Sequence, residues 1–330
     1  MAQKKVTIIG SGNWGSAIAR IIGSTVIKHS STFQERVPMW VFEEMVDGKK
    51  LSEIINTEHI NVKYLPGKKL PVNVVAVPDL LEAAKDADIL VFVVPHQFVE
   101  KICQQLKGLV KSSTVAVSLI KGLSCKSTST QLRLISEDIG EMLGIDVAVL
   151  MGANLAPEVA NDNVMFCEAT IGSKNLSTAM ELKKLFHTDN FRINVAQDFQ
   201  TVEICGALKN VAAIIRLGLM EMMRFIEHFY PNTRIKTFFE SCGIADLVTT
   251  CYGGRNRKVC EAFAKTKRSA QGPLTAAELY QVIKTRDLLK MFPLFEAVHN
   301  ICIGQVPVED FIDKIRNHPE YEDRSNAEFH

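Results

Sequence analysis

Six short apolar runs recur between helical patterns in the first 152 residues: Val6–Ile9, Val37–Phe42, Val74–Val77, Ile89–Val94, Thr114–Ile120 and Ala148–Met151. Ile89-Leu90-Val91-Phe92-Val93-Val94 has no polar position. Successive side chains of a strand point to opposite faces, so such a run needs both faces buried. Amphipathic stretches such as Ala17–Ile22 and Leu80–Lys85 separate the strands. Strands alternating with helices favour parallel order and right-handed crossovers. The expected fold is α/β, a doubly wound sheet with helices on both faces. Two further strand-like runs, Ala169–Ile171 and Phe191–Val195, complete this first domain.

Beyond Asp198 the pattern changes to long apolar helical stretches: Val202–Ala213, Ile215–Phe225, Ala276–Ile283 and Phe292–Ile303. An all-α C-terminal domain is expected, with residues 1–195 forming the first domain and 196–330 the second. A chain of 330 residues is long enough for two proper cores. The charged segment Asn317–His330 is expected to fray.

Bulk chemistry narrows the partners. With 47% hydrophobic and 23% charged residues the chain reads as an ordinary globular protein. Its net charge of +1 creates no global field for nucleic acid or an anionic membrane, so neither is expected as a partner. The opening apolar run, Val6 to Ile9, is too short for a signal-peptide core. No stretch reaches the roughly 18 uncharged apolar residues of a membrane span. The cysteines, among them Cys103, Cys125, Cys167, Cys205 and Cys242, are scattered without a CxxC pair. That favours reduced thiols in the cytoplasm over disulfides or zinc. The histidines show neither HxxxH nor HExxH spacing, and no metal is expected.

Gly10-Ser11-Gly12-Asn13-Trp14-Gly15 is a GxGxxG string placed directly between a strand and a helix. In that setting Gly10 allows the tight turn, Gly12 the close approach of a pyrophosphate, and Gly15 close helix–strand packing. Free N–H groups and the positive helix end then attract the anion. The next strand leads into Phe42-Glu43-Glu44. An acid there accepts hydrogen bonds from a ribose and repels a 2′-phosphate, which favours NAD over NADP; Glu43 and Glu44 both qualify. Ligands of such sheets sit at the carboxyl ends of strands. Phe98, in Val94-Pro95-His96-Gln97-Phe98, is therefore placed either to cover a cofactor or to serve as core, with His96 a hydrogen-bonded loop residue. Lys121, in Leu119-Ile120-Lys121-Gly122, either points into the ligand crevice or is an ordinary solvated lysine.

The segment from Val202 to Ala213 is apolar almost all round, yet Lys209 shares a face with Val202, Cys205 and Ala212. Desolvation disfavours a charged lysine and lowers its pKa, which suits a proton donor or acceptor. The competing reading is a snorkelling lysine at a helix end, with Asn210 as its cap. In the run Gly243 to Lys258, Asp246 and Thr250 lie four apart, on one face of a helix. Gly253-Gly254 frees the backbone beside Arg255 and Asn256, which are suited to hold a phosphate; the alternative is a basic solvated turn.

With these pieces together the chain resembles the cytosolic NAD-dependent glycerol-3-phosphate dehydrogenase family. The strings are GSGNWGSAIA at Gly10–Ala19, EIINTEHINVKYLPGKKLP at Glu53–Pro71, DILVFVVPHQF at Asp88–Phe98, SLIKG at Ser118–Gly122, LMGANLA at Leu150–Ala156, TVEICGALKNV at Thr201–Val211 and SCGIADLVTTCYGGRNRKV at Ser241–Val259. The resemblance implies a Rossmann-type first domain and interconversion of dihydroxyacetone phosphate and sn-glycerol 3-phosphate with NAD as cofactor. It implies that Gly10, Ser11, Gly12, Asn13, Trp14, Gly15, Phe42, Phe98, Ala156, Arg255 and Gln271 touch the dinucleotide. Lys121, Arg255 and Asn256 would hold the small-molecule substrate. Lys209 would donate the proton, with Asn210, Asp246 and Thr250 completing its network. A homodimer is expected, since related dehydrogenases pair through helical domains.

The chain departs from the family's pattern where Ala213 joins Ile214 directly, without a further stretch carrying a glycine-rich turn and part of a core helix. A shorter stretch is missing between Ala270 and Gln271, and Leu123-Ser124-Cys125-Lys126 replaces a more acidic run. Surface loops shorten cheaply, but lost core helix leaves apolar partners unpacked. The departures point to a spliced form or to a member with compromised catalysis. Two rival functions follow: an NAD(H)-binding sensor or scaffold, and a dehydrogenase for another small hydroxy acid.

Overall fold

The computed structural model describes residues 2–125, 132–152, 156–160, 167–208, 215–231, 233–252, 271–307 and 310–315. Among them the chain forms two compact units, Met1–Lys121 with Ile135–Val202, and Gly122–Leu134 with Glu203–His330.

The first unit is built on an eight-stranded sheet. In chain order its strands are β1 (Val6–Ile9), β2 (Val37–Trp40), β5 (Val74–Val77), β6 (Ile89–Phe92), β7 (Val115–Ser118), β10 (Asp146–Gly152), β11 (Cys167–Gly172) and β12 (Phe191–Ala196). Short ribbons β3 (Met45–Val46) with β4 (Lys49–Lys50), and β8 (Leu123–Cys125) with β9 (Leu132–Leu134), lie outside it. The spatial order is β12-β11-β10-β7-β6-β1-β2-β5. Strands β10 through β5 are mutually parallel, the doubly wound Rossmann order in which the chain starts at the centre and reverses direction across β1. The expected doubly wound sheet is present.

Apolar alternation explains why both faces are covered. Ile89 and Val91 enter one core with residues of α1 (Asn13–Lys28) and α7 (Leu176–Phe186). Leu90 and Phe92 enter the other with residues of α3 (Leu80–Ala84), α4 (Val99–Leu106) and α5 (Ile135–Leu143). Each fully buried aliphatic side chain stabilises by about 1.5–3 kcal/mol.

Where strand ends differ from expectation, they do so by one or two residues. β2 stops at Trp40 and β6 at Phe92, short of Phe42 and Val94, because the chain leaves the ladder for the loops at the carboxyl edge. β11 runs antiparallel to β10 and parallel to β12, so the sheet is mixed at this edge. Alternation of strand and helix cannot report that reversal.

Among its described residues the second unit is helical apart from the β8–β9 ribbon. It contains α9 (Ile215–Phe229), α10 (Ile235–Phe238), α11 (Asp246–Tyr252), α12 (Gln271–Thr285), α13 (Pro293–Cys302) and α14 (Phe311–Ile315). Residues Phe199–Leu208 form α8, which begins three residues before the expected Val202 because Asp198 accepts the Thr201 N–H at 3.1 Å. Phe225 of α9 packs edge-on to Phe292 and stacks with Phe229. The buried Glu221 carboxylate accepts the N–H groups of Leu294 and Phe295 at 2.7 and 3.0 Å, capping α13 behind its leading Pro293.

Candidate active site

Three glycines shape the turn after β1, each in its own way. Gly10 has φ +118°, and a Cβ on it would lie 2.5 Å from the Val93 carbonyl oxygen, where β6 ends beside β1. Only glycine adopts that backbone without strain. A Cβ on Gly15 would strike the Gly10 carbonyl oxygen, so the first turn of α1 can sit against the strand only without one. Gly12 is different. Its φ of −63° and ψ of −173° suit any residue, and a Cβ there would meet no atom within 4 Å. Nothing inside the protein requires glycine at 12; what it preserves is open approach to the start of α1. That helix has no side-chain cap at Gly12 and no acid in its first turn. Its leading N–H groups and positive dipole end therefore suit an external anion, and the turn fits a dinucleotide pyrophosphate.

A buried polar scaffold holds this turn. Asn61, fully buried, donates from Nδ2 to the Ser11 carbonyl at 2.7 Å and to Ser16 Oγ at 2.9 Å. Its Oδ1 accepts the Tyr64 N–H at 3.1 Å. Asn13 Nδ2 donates to the Tyr64 carbonyl at 2.7 Å. Tyr64 Oη donates to Glu44 at 2.8 Å, and Lys63 pairs with the same carboxylate at 2.6 Å. Those two bonds, Lys63's first, hold the Glu44 carboxyl below its ordinary range, while burial pushes the Tyr64 phenol up. Glu43 is also engaged: it accepts the backbone N–H and the hydroxyl of Ser52, in the first turn of α2 (Leu51–Glu58), at 3.1 and 2.6 Å. Both acids beyond β2 thus bond segments of the protein itself. The scaffold role of Asn61 and Tyr64 was missed in the sequence, where only an amide between Ile60 and Val62 hinted at a buried polar requirement.

Other expected residues are placed as follows. Phe42 and Phe98 stand 70% and 50% exposed beyond β2 and β6, two large aromatics that no core explains. His96 and Phe98 share a 3-10 turn that leads into α4. Lys121, half-buried beyond β7, donates from Nζ to the Gly152 carbonyl at the end of β10, 3.3 Å away. Ala156 opens the short helix α6 (Ala156–Val159) and packs with Ala17, Leu65 and Trp14. In the second unit a π-helical turn, Ser241–Ala245, leads into α11. Gly243 lies so close to the Phe238 backbone that no side chain fits. Asp246 is buried at the start of α11, and Thr250 follows one turn later on the same face. Gln271 is the first residue of α12. Lys209, Asn210, Arg255 and Asn256 lie outside the described residues.

The sequence profile for the N-terminus of NAD-dependent glycerol-3-phosphate dehydrogenase matches residues 5–179, and the profile for its C-terminus matches residues 211–313. The chain belongs to the NAD-dependent glycerol-3-phosphate dehydrogenase family. It is an oxidoreductase whose cofactor is NAD.

Relatives of the family match along nearly the whole chain. The probable glycerol-3-phosphate dehydrogenase 2 of Caenorhabditis elegans is 58% identical, covering 97% of this chain and 92% of the relative. The human cytoplasmic NAD(+) glycerol-3-phosphate dehydrogenase is 54% identical over 97% of this chain and 100% of its own. The glycerol-3-phosphate dehydrogenase structure from Saccharomyces cerevisiae superposes with a TM-score of 0.85 at 41% identity, covering 96% and 100% of the two chains. That of Dunaliella salina reaches 0.90 at 36% identity; it covers 95% of this chain but 60% of the longer algal one. The alignment to the nematode relative spans 361 residues. Since 97% of 330 residues is about 320, this chain is about 40 residues shorter over the aligned span.

Proposed function

We propose that the chain interconverts dihydroxyacetone phosphate and sn-glycerol 3-phosphate, with residues 1–195 as the NAD-binding domain and 196–330 as the substrate domain. NAD(H), when bound, supplies or accepts the hydride. The observation that carries the reading is the turn at Gly12, open to an anion at the carboxyl edge of a doubly wound sheet in a chain of this family. Gly10 to Gly15, Phe42, Phe98, Ala156, Arg255 and Gln271 would hold the dinucleotide, the two exposed phenylalanines covering its apolar surface.

Lys121, Arg255 and Asn256 would hold the phosphate and hydroxyl groups of the substrate. The Lys209 ammonium would give its proton to the oxygen of the reduced carbonyl and, as a neutral amine, take it back in the reverse direction. Asn210, Asp246 and Thr250 would fix that amine in place. Rate enhancement on this reading comes from positioning and from positive charge placed where the alkoxide forms. A cytoplasmic location fits the names of the relatives, and a homodimer fits the expected pairing through helical domains. No helix among the described residues is long and apolar enough to cross a membrane.

The test is NADH consumption on addition of dihydroxyacetone phosphate. Turnover in the wild-type chain and its loss, by ~10²-fold or more, in Lys209→Ala are expected. NADH binding with no turnover in the intact wild-type protein refutes the catalytic assignment and identifies a sensor or scaffold instead.

A further inference from the structure

We propose that Asn61 is a positioning residue that holds the dinucleotide turn in its binding shape before the cofactor arrives. The inference rests on NAD(H) being bound at that turn, as proposed above.

The Ser11 carbonyl and the Gly12 N–H belong to the same rigid planar unit, so whatever fixes the oxygen also fixes where that N–H points. Gly12 offers no steric resistance to rotation of this plane, because it lacks a Cβ and has open space around it. The resistance comes from elsewhere. The Ser11 oxygen accepts Asn61 Nδ2 at 2.7 Å and Ser16 Oγ at 3.1 Å, both within the buried side of the turn. Asn61 reaches it from fifty residues away in sequence and is itself fully buried.

The orientation of the Asn61 amide is unique. Its two N–H groups meet two acceptors, the Ser11 carbonyl and Ser16 Oγ, and its oxygen meets one donor, the Tyr64 N–H. Rotating the amide would set oxygen against oxygen at Ser11 and N–H against N–H at Tyr64, breaking three bonds in a buried place. The second tether, Asn13 Nδ2 on the Tyr64 carbonyl at 2.7 Å, holds the first residue of α1 to the same segment. Tyr64 is anchored through Glu44 and Lys63. A turn rich in glycine is thereby ordered by residues outside it, which lowers the entropic cost of binding.

Asn61→Asp is the discriminating substitution. It keeps the shape and the acceptor for Tyr64 but sets a carboxylate oxygen against the Ser11 carbonyl. NADH binding, followed by fluorescence titration, is expected to weaken by ~10- to 100-fold at neutral pH. Relative to wild type at the same pH, affinity should recover as the solution is acidified, because a protonated carboxyl can donate again. A merely damaged fold has no reason to bind more tightly in acid. The turnover number at saturating NADH and the KM for dihydroxyacetone phosphate should stay within about 3-fold of wild type.

Should Asn61→Asp fail to fold, Ser16→Ala removes one of the two donors on the Ser11 oxygen. It should weaken NADH binding several-fold, while the one buried Asn61 N–H left without its acceptor lowers the melting temperature by only a few degrees, with the fold retained. Wild-type binding together with unchanged NADH affinity in the variants overturns the inference, as does a loss confined to turnover. A wild-type chain that binds no NADH overturns the cofactor reading itself, and the inference with it.

Discussion

Gly10→Ala and Gly12→Ala, two residues apart in one turn, should produce opposite phenotypes. At Gly10 the φ of +118° places alanine in a region only glycine favours, at about 1–3 kcal/mol. Its Cβ would also lie 2.5 Å from the Val93 carbonyl oxygen and 2.8 Å from a Val94 methyl. Forcing such an approach in a packed site costs about 1–3 kcal/mol more. The sum, roughly 2–6 kcal/mol, lowers the melting temperature of a unit this size by roughly 4–24 °C.

At Gly12 the backbone suits alanine and its Cβ meets nothing. Folding should be unchanged or favoured by up to about 1 kcal/mol, because the unfolded chain loses freedom. The added methyl instead occupies the approach that a pyrophosphate needs. A loss of about 2 kcal/mol in binding is ~30-fold in Kd for NADH. Thermal unfolding and NADH titration on the same preparations separate the two effects. The reasoning fails if Gly12→Ala melts as low as Gly10→Ala, or if it binds NADH as tightly as wild type.

In the second unit, Glu221→Ala removes the carboxylate that caps α13 and leaves two buried N–H groups without it; chemical denaturation should show a loss of about 2–4 kcal/mol. Acidification should weaken the fold through His187 and His299. Both are held below the ordinary 6.5, chiefly by burial, assisted by Lys183 and Arg192 at the first and by Lys284 at the second. The unfolded chain binds protons near pH 6.5 that the folded chain still refuses, so stability falls as pH drops from 6.5 toward the depressed folded values. His187 Nδ1 accepts the Ile193 N–H at 3.1 Å, and His187→Asn, which keeps an acceptor without the titration, should flatten the melting temperature against pH below 6.5. An undiminished acid slope in that variant would refute the part assigned to His187.

The candidate site was legible where its determinants are local. The order strand, glycine turn, helix lies within Val6 to Lys28, and the demand for glycine at 10 and 15 shows in the φ of one and in the approach of the other to Gly10, although the Val93 oxygen beside Gly10 lies far along the chain. Asp246 and Thr250 could be placed on one helical face by spacing alone. The acids were harder. Glu43 and Glu44 are equivalent acids in the sequence, and no spacing shows that Ser52 bonds one while Lys63 and Tyr64 bond the other.

By itself the amino-acid order settled the α/β class, the covering of both sheet faces, the change to helices after Asp198 and the glycine turn between β1 and α1, because hydrophobic period and glycine conformation act between near neighbours. Only the tertiary structure decided that β11 runs against β10, that β2 and β6 release the chain at Trp40 and Phe92, and that Asn61 fastens Ser11 and Ser16. Those outcomes depend on partners brought together by folding, fifty residues apart in the case of Asn61 and Ser11. A local pattern carries no record of which distant group will fill a buried hydrogen bond.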